Sequence, residues 1–184
     1  MKKAVFLDRD GVITEDPPHY AHRVDQMHII PGSGEAIRLL NERGYLVILV
    51  SNQSGVARGY YQEHDISLFN EEMKRHLSLE KAHIDAIYYC PHHPEGIIAS
   101  FCRSCTCRKP QPGMLIQAAE EHGINLEASF LIGDKYSDIL AGKAVNCETI
   151  MVLTGHGMEE IYHLKGATVP VAGNLLNAVR KYII

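Results

Sequence analysis

Hydrophobic residues along the chain fall into two kinds of run. The short, almost unbroken kind reads "AVFLD" ending at Asp8, "LVILVS" ending at Ser51 and "SFLIGD" ending at Asp134. Runs of this length without polar alternation predict strands buried on both faces, as in a parallel sheet. Between them the apolar residues recur at helical spacing. "PGSGEAIRLLNERG" predicts a helix starting at Pro31 and stopping at Gly44, and "PGMLIQAAEEHG" one from Pro112 to Gly123. Proline can open a helix because its missing N–H has no partner there anyway, and glycine closes one cheaply in the left-handed region. "EHDISLFNEEMKRHLSLEK" predicts a third helix, followed by a strand in "IDAIYYC". After Asp134 the pattern predicts a short helix over about 137–144, a strand in "TIMVL" and two weaker elements ending in the helix "NLLNAVRKYI". Strands alternating with helices predict an α/β fold, a doubly wound and mostly parallel sheet. No repeat, low-complexity tract or linker breaks the chain, so residues 1–184 read as a single domain.

The three strongest strands all stop on polar groups: Asp8, Ser51 and Asp134. In open α/β sheets, ligands bind in the crevice outside the carboxyl ends of the strands. If these strands are neighbours, the three residues meet at one place. Solvated turns would explain each polar residue separately but not the shared pattern.

Composition narrows the ligand. An apolar content of 46% is enough for a real core, and the formal charge is −4. That balance argues against nucleic acid or an anionic membrane surface as the partner. No apolar stretch approaches the roughly 20 residues that span a bilayer. The N-terminus runs from Lys2-Lys3 directly into a strand ending in acids, without signal-peptide features, so a cytoplasmic monomer is expected. Of five cysteines, four lie between Cys90 and Cys107. An odd count in a reducing compartment favours a metal site over a disulfide framework.

Asp8-Arg9-Asp10-Gly11 resembles the D-x-D-G signature of the phosphatase branch of the haloacid dehalogenase superfamily. The resemblance implies a Rossmann-like core, Asp8 as nucleophile and Asp10 as general acid and base. Asp8 would form an aspartyl-phosphate, and Asp10 would protonate the leaving oxygen and then activate water. A carboxylate attacks an anionic phosphate only if charge repulsion is relieved, which Mg²⁺ and a lysine can do. "SNQSG" is similar to the second motif, with Ser51, Asn52 and Gln53 toward the phosphoryl group. Lys109, just before the Pro112 helix, matches the third-motif lysine. "GDKYSD" matches the fourth, with Asp134 a Mg²⁺ ligand beside Asp8 and the Asp10 carbonyl. Lys135 is expected to support the nucleophile region without ligating the metal, and Asp138 to stand behind the ligands. The chain between Asp10 and Ser51, and between Gln53 and Lys109, lacks room for a full cap domain. The pocket is therefore expected to be walled by residues 12–30, 53–61 and 90–108.

"CPHHPEGIIASFCRSCTCRKP" places two pairs, Cys90-x-His92 and Cys105-x-Cys107, around a loop. Zn²⁺ in structural sites takes four tetrahedral nitrogen or sulfur ligands, and two such pairs supply them. His93 and Cys102 lie within reach, and a disulfide is a further alternative. Cys147 stands apart and reads as a core residue. Taken together, "DRDG", "SNQSGVARG", "CPHHPEG" and "CTCRKPQPGM" resemble the D-glycero-D-manno-heptose 1,7-bisphosphate 7-phosphatase family. That family is zinc-bearing, capless and Mg²⁺-dependent, and supplies heptose for lipopolysaccharide cores. The resemblance implies that Cys90, His92, Cys105 and Cys107 hold Zn²⁺ and that Arg108 contacts the phosphate not cleaved; Arg58 either lines the pocket or stands on the surface. Ser51 departs from the expected threonine but keeps the hydroxyl, and Cys102 is additional.

The implied partner is a small sugar bisphosphate. A histidinol-phosphate phosphatase shares the acids and the zinc loop, although "SNQSGVARG" fits the heptose branch better. A non-enzymatic zinc module is the alternative of another class. The histidines of "PPHYAHRVDQMH" (His19, His22 and His28) read mostly as surface residues.

Overall fold

The computed structural model describes residues 1–17, 22–166 and 168–184. Its strands are β1 (Ala4–Leu7), β2 (Leu46–Asn52), β3 (Ala86–Cys90), β4 (Phe130–Gly133), β5 (Glu148–Val152) and β6 (Val171–Ala172). They pair in the order β3-β2-β1-β4-β5-β6, and every pairing is parallel. The helices are α1 (Ser33–Glu42), α2 (Glu63–Leu79), α3 (Gly113–His122), α4 (Tyr136–Lys143), α5 (Gly157–Glu160) and α6 (Leu175–Tyr182).

The unbroken apolar runs are buried on both sides. Val5 and Leu7 of β1, with Val47 and Leu49 of β2, pack against Ala36, Ile37 and Leu40 of α1 and Leu175, Ala178 and Val179 of α6. Their neighbours Ala4, Phe6, Ile48 and Val50 face the other way, against Met114, Leu115 and Ala118 of α3. Cys147 belongs to that second cluster, as its isolation in sequence suggested. Successive residues of a strand point to opposite faces, and with helices on both faces neither set can be polar.

Helix ends follow the expected punctuation with small shifts. α1 begins at Ser33 rather than Pro31, because Gly32 takes the N-cap with φ 87°. α3 stops at left-handed Gly123, φ 67°. After β5 come the short helix α5, a 3-10 turn at Ile161–Leu164, the two-residue strand β6 and the expected final helix α6.

Strand order places the site. The chain winds from β1 outward to β3, then returns to the far side of β1 as β4. The crevice at such a reversal is where ligands bind in doubly wound sheets. Register brings the strand ends level. Leu7 pairs with Leu49 and with Ile132, so Ser51 and Asp134 each lie one residue beyond Asp8. Of the segment before α1, the described residues 12–17 and 22–32 carry a 3-10 turn at Val24–Gln26 and are pinned by a bridge between Thr14 and Ile29. His22 stacks on Tyr61 with ring centroids 5.0 Å apart, and His28 is exposed. His19 lies outside the described residues. Among the described residues no helix is long and apolar enough to cross a membrane.

Candidate active site

Asp8 leaves β1 buried. Its Oδ1 accepts from the Arg9 backbone N–H at 2.8 Å and lies 3.1 Å from Lys109 Nζ. Lys109 is buried as well. Its ammonium is 2.6 Å from Asp138 Oδ1 and donates to the Val50 carbonyl at 2.7 Å. Burial opposes the charge on Lys109, but the carboxylates of Asp138 and Asp8 outweigh it and hold its pKa above the ordinary lysine value. Burial likewise pushes Asp8 up, against the pull of Lys109. Asn52, at the end of β2, fixes the lysine's backbone. Its amide donates to the Lys109 carbonyl and accepts from the Lys109 N–H, both at 3.0 Å. The Asn52 side chain thus holds Lys109 in place.

Asp134 leaves β4 fully buried. Oδ2 accepts from the His156 N–H at 2.8 Å. Gly11, at φ 84°, and Gly155 close over this oxygen, and a Cβ on either would come within 2.3 Å of it. Only glycine allows that approach at Gly11, where φ is also left-handed. Oδ1 is buried and has no hydrogen-bond partner among the described residues. Burial first, and then the charge of Asp8, lift the Asp134 pKa to about 8. Asp8, Asp134 and Asp138 offer carboxylate oxygens within 4.8 Å of one another. An orphaned buried oxygen inside such a group fits a hard divalent cation, which binds through oxygen ligands. Asp10's carboxylate lies outside this group; its expected contribution to a metal is through the main-chain carbonyl.

Asp10 faces a different set. Arg9 grips both of its oxygens, Nε on Oδ1 at 2.9 Å and Nη2 on Oδ2 at 3.0 Å. Gln53 Nε2 adds a bond to Oδ2 at 2.8 Å and Thr14 Oγ1 one to Oδ1 at 3.2 Å. Gln53 also donates to Ser51 Oγ at 2.8 Å. Ser51, Gln53 and Asp10 therefore form one hydrogen-bonded row. Lys135 acts on the acids without touching Asp8. Its ammonium pairs with Asp16 at 3.0 Å rather than with Asp8, because the extended residue before α4 sends the side chain toward the segment after β1. Asp16 is shared with His156, whose Nε2 is 3.2 Å away. The influence of Lys135 on Asp8 and Asp134 is through space.

The cysteine loop converges where the spacing predicted. Sγ of Cys90, Cys105 and Cys107 lie 3.2–3.4 Å apart, and His92 Nδ1 lies 3.6 Å from Cys90 and 3.5 Å from Cys107. All are too long for a disulfide, whose S–S bond is about 2.05 Å. They fall a few tenths short of the roughly 3.8 Å edge of a tetrahedron with Zn–S bonds of about 2.3 Å. Burial pushes the Cys90 thiol well up and raises Cys107 too, while hydrogen bonds from Cys107 and Cys90 outweigh burial at Cys105 and lower it. Three crowded thiols with one imidazole are the donor set of a zinc site. A metal on Nδ1 requires the Nε2–H tautomer, so it would displace Arg103, now 2.7 Å from Nε2. The alternatives point elsewhere: Cys102 Sγ faces the Pro94 carbonyl, and His93 Nδ1 accepts from Glu95 N–H. On the other side of His93, Arg58 Nη2 is 3.1 Å from Nε2, and Arg58 Nε is buried without a partner among the described residues. Arg108 donates to the His92 carbonyl at 3.3 Å. Burial, then the charges of Arg108 and Arg58, depress the His93 pKa.

Two residues of these networks carried little signal in the sequence: Arg9 and Asp16. A cation between two acids reads as a solvated turn until burial is known. The usable clue was that Arg9 sits in a segment flanked by buried apolar residues on both sides.

Comparison with known proteins agrees with this architecture. A family model described as HAD-hydrolase-like matches residues 106–178. The chain is 48% identical over 161 residues to the D-glycero-beta-D-manno-heptose-1,7-bisphosphate 7-phosphatase of Pasteurella multocida, covering 87% of this chain and 86% of that one. It is 42% identical over 153 residues to the Escherichia coli enzyme of the same name, covering 83% and 80%. A crystal structure of D,D-heptose 1,7-bisphosphate phosphatase from B. bronchiseptica, complexed with magnesium and phosphate, superposes with a TM-score of 0.87 at 31% identity, covering 97% and 96%. A parallel sheet reversing between β1 and β4, acids at both strand ends and identity of this extent are one consistent pattern: the chain belongs to the D-glycero-beta-D-manno-heptose-1,7-bisphosphate 7-phosphatase family of the haloacid dehalogenase superfamily.

Proposed function

We propose that this chain hydrolyses the C7 phosphate of D-glycero-D-manno-heptose 1,7-bisphosphate, with the beta anomer of its relatives' names as the natural substrate. Asp8 is the nucleophile. The ammonium of Lys109 holds Oδ1 by charge, and the Arg9 backbone N–H holds the same oxygen by hydrogen bond, so the carboxylate is oriented before substrate arrives. Asp8 attacks phosphorus and the sugar oxygen leaves as the hydroxyl, protonated by Asp10. Asp10 then takes a proton from the water that splits the aspartyl-phosphate, which regenerates Asp8 and releases phosphate. Ser51 and Lys109 steady the transferring group. Mg²⁺, held by Asp8, Asp134 and the Asp10 carbonyl, would supply charge neutralisation for attack on an anion. Zn²⁺, held by Cys90, His92, Cys105 and Cys107, would order the loop that carries Arg108 and Lys109. Arg58 and Arg108 would retain the second phosphate, since a planar guanidinium suits phosphate oxygens. The same reading makes the protein a single-domain cytoplasmic monomer acting on a small molecule.

The observation that carries the proposal is the buried Asp8–Lys109–Asp138 chain beside the orphaned oxygen of Asp134. Phosphate release should be measured on heptose 1,7-bisphosphate, other sugar bisphosphates and histidinol phosphate, with and without Mg²⁺. The expected result is Mg²⁺-dependent release from the heptose substrate, with phosphorus NMR showing loss from C7. Preference for histidinol phosphate would reassign the substrate, and no turnover of any ester would end the enzymatic reading.

A further inference from the structure

Arg9 is 1% exposed and among the largest buried side chains. A guanidinium keeps its charge in any protein environment, so burying one requires partners for its donors. Two donors grip Asp10. Nη2 also reaches Gln53 Oε1 at 3.1 Å, and Nη1 reaches Asn70 Oδ1 at 3.2 Å. The Phe69 ring lies against the guanidinium, 4.4 Å from its carbon to the ring centroid. Phe69 and Asn70 are buried on α2. A rigid helix thus fixes the guanidinium, and the guanidinium fixes the carboxylate. Gln53 is held in turn by Tyr61, whose hydroxyl donates to Oε1 at 2.8 Å.

We infer that Arg9 is a positioning residue for proton transfer, fixing the side chain of Asp10 through a bidentate fork anchored on α2. This rests on the proposed role of Asp10 and adds to it a residue that does not itself touch substrate. A purely structural arginine needs no particular carboxylate. This one is clamped to the acid two residues from the nucleophile and also to the glutamine that bonds the same acid. Lysine cannot replace it, because one ammonium cannot span two carboxylate oxygens, Gln53 and Asn70 together.

Leaving-group dependence separates positioning of a proton donor from general damage. A sugar alkoxide needs a proton to leave, whereas 4-nitrophenolate does not. Arg9→Lys, Arg9→Met and Asp10→Asn should be compared with the unmodified Mg²⁺-loaded enzyme by rapid quench, on the heptose bisphosphate and on 4-nitrophenyl phosphate. Positioned general acids contribute about 10²-fold or more, so kcat on the sugar substrate should fall by roughly that factor with KM changed less than about twofold. The first-turnover burst of nitrophenol should stay within about threefold of the unmodified enzyme, while the later steady rate falls because hydrolysis of the aspartyl-phosphate also uses Asp10. Asp10→Asn should give the same pair of effects. A nitrophenol burst that falls as much as the sugar rate, or no loss of the sugar rate, in the Arg9 variants would overturn the inference. Equal losses in Asp10→Asn would instead sink the role of Asp10 itself. If the Arg9 variants do not fold, Asn70→Leu decides. It removes one anchor without removing the charge and should slow the sugar substrate by about threefold to tenfold while leaving the nitrophenol burst unchanged. No change there would also overturn the assignment.

Discussion

Asp8, Asp134 and Asp138 stand directly after β1, directly after β4 and in the first turn of α4, so the sheet and its adjoining helix set each backbone. Among the four thiol and imidazole groups, only Cys90 has such support, at the end of β3. His92, Cys105 and Cys107 stand on a loop whose Ile97 is 78% exposed and which is tied to the neighbouring segment through N–H bonds from Ile97 and Ile98 to the Ala57 carbonyl. The acid cluster is therefore preformed by the core. On the proposed reading, the cysteine cluster depends on a bound Zn²⁺ to hold the loop that forms it. Binding energy at a site of the second kind is folding energy, whereas at the first it is available to chemistry.

Four measurements test that contrast, in descending order of effect. Asp8→Asn removes the nucleophile at almost constant volume, and phosphate release should fall by roughly 10³-fold or more with the thermal midpoint little changed. Survival of activity would mean the preformed cluster is not the reacting one. Cys107→Ser should release the zinc equivalent, measured by elemental analysis, and make backbone amides of residues 91–108 exchange rapidly while those of β1 and β4 stay protected. Uniform loss of protection would show that the loop and the sheet do not separate in stability.

The third measurement exploits the raised pKa of Asp134, about 8 in the metal-free protein. Its unfolded value is near 3.8. Between these values the folded state binds more protons than the unfolded one, so metal-free stability should fall as pH rises from about 4 to about 8. Mg²⁺ competes with that proton. Its affinity by calorimetry should therefore increase toward pH 8 and level off above it, and its stabilising effect should be largest there. A flat profile would remove the burial argument for Asp134. The smallest effect belongs to Asn52→Ala. Loss of two hydrogen bonds to the Lys109 backbone should lower stability by about 1–2 kcal/mol, and misplacement of the lysine should lower kcat by about tenfold. An unchanged kcat would mean that Asp138 and Val50 alone position the ammonium.

Much of this was readable in the chain because the signals were local. Ala4–Leu7 could not be a surface strand, since neither of its alternating faces offers a polar residue. Gly123 and Gly44 marked helix ends by the same local physics. The four converging thiol and imidazole residues of the loop were visible as two closely spaced pairs. The all-parallel sheet and the boundary at Ser33 needed pairing partners and a cap conformation that composition does not reveal. The hydrogen-bond partners of Asn52 and Lys135 were not legible for a related reason. Both are polar residues near a strand end, and which neighbour they meet depends on chain far away in sequence.

The sequence by itself determined the alternation of buried strands and helices, the acids at strand ends and the donor set of the cysteine loop, because burial periodicity and ligand spacing act over a few residues. Only the tertiary structure decided that β4 lies beside β1, that Asp138 reaches Lys109, and that Arg9 turns inward to clasp Asp10 against Phe69 and Asn70. Those outcomes pair residues from distant parts of the chain in a space from which water is excluded. There the need to satisfy every buried charge selects the partner, and no local pattern encodes that choice.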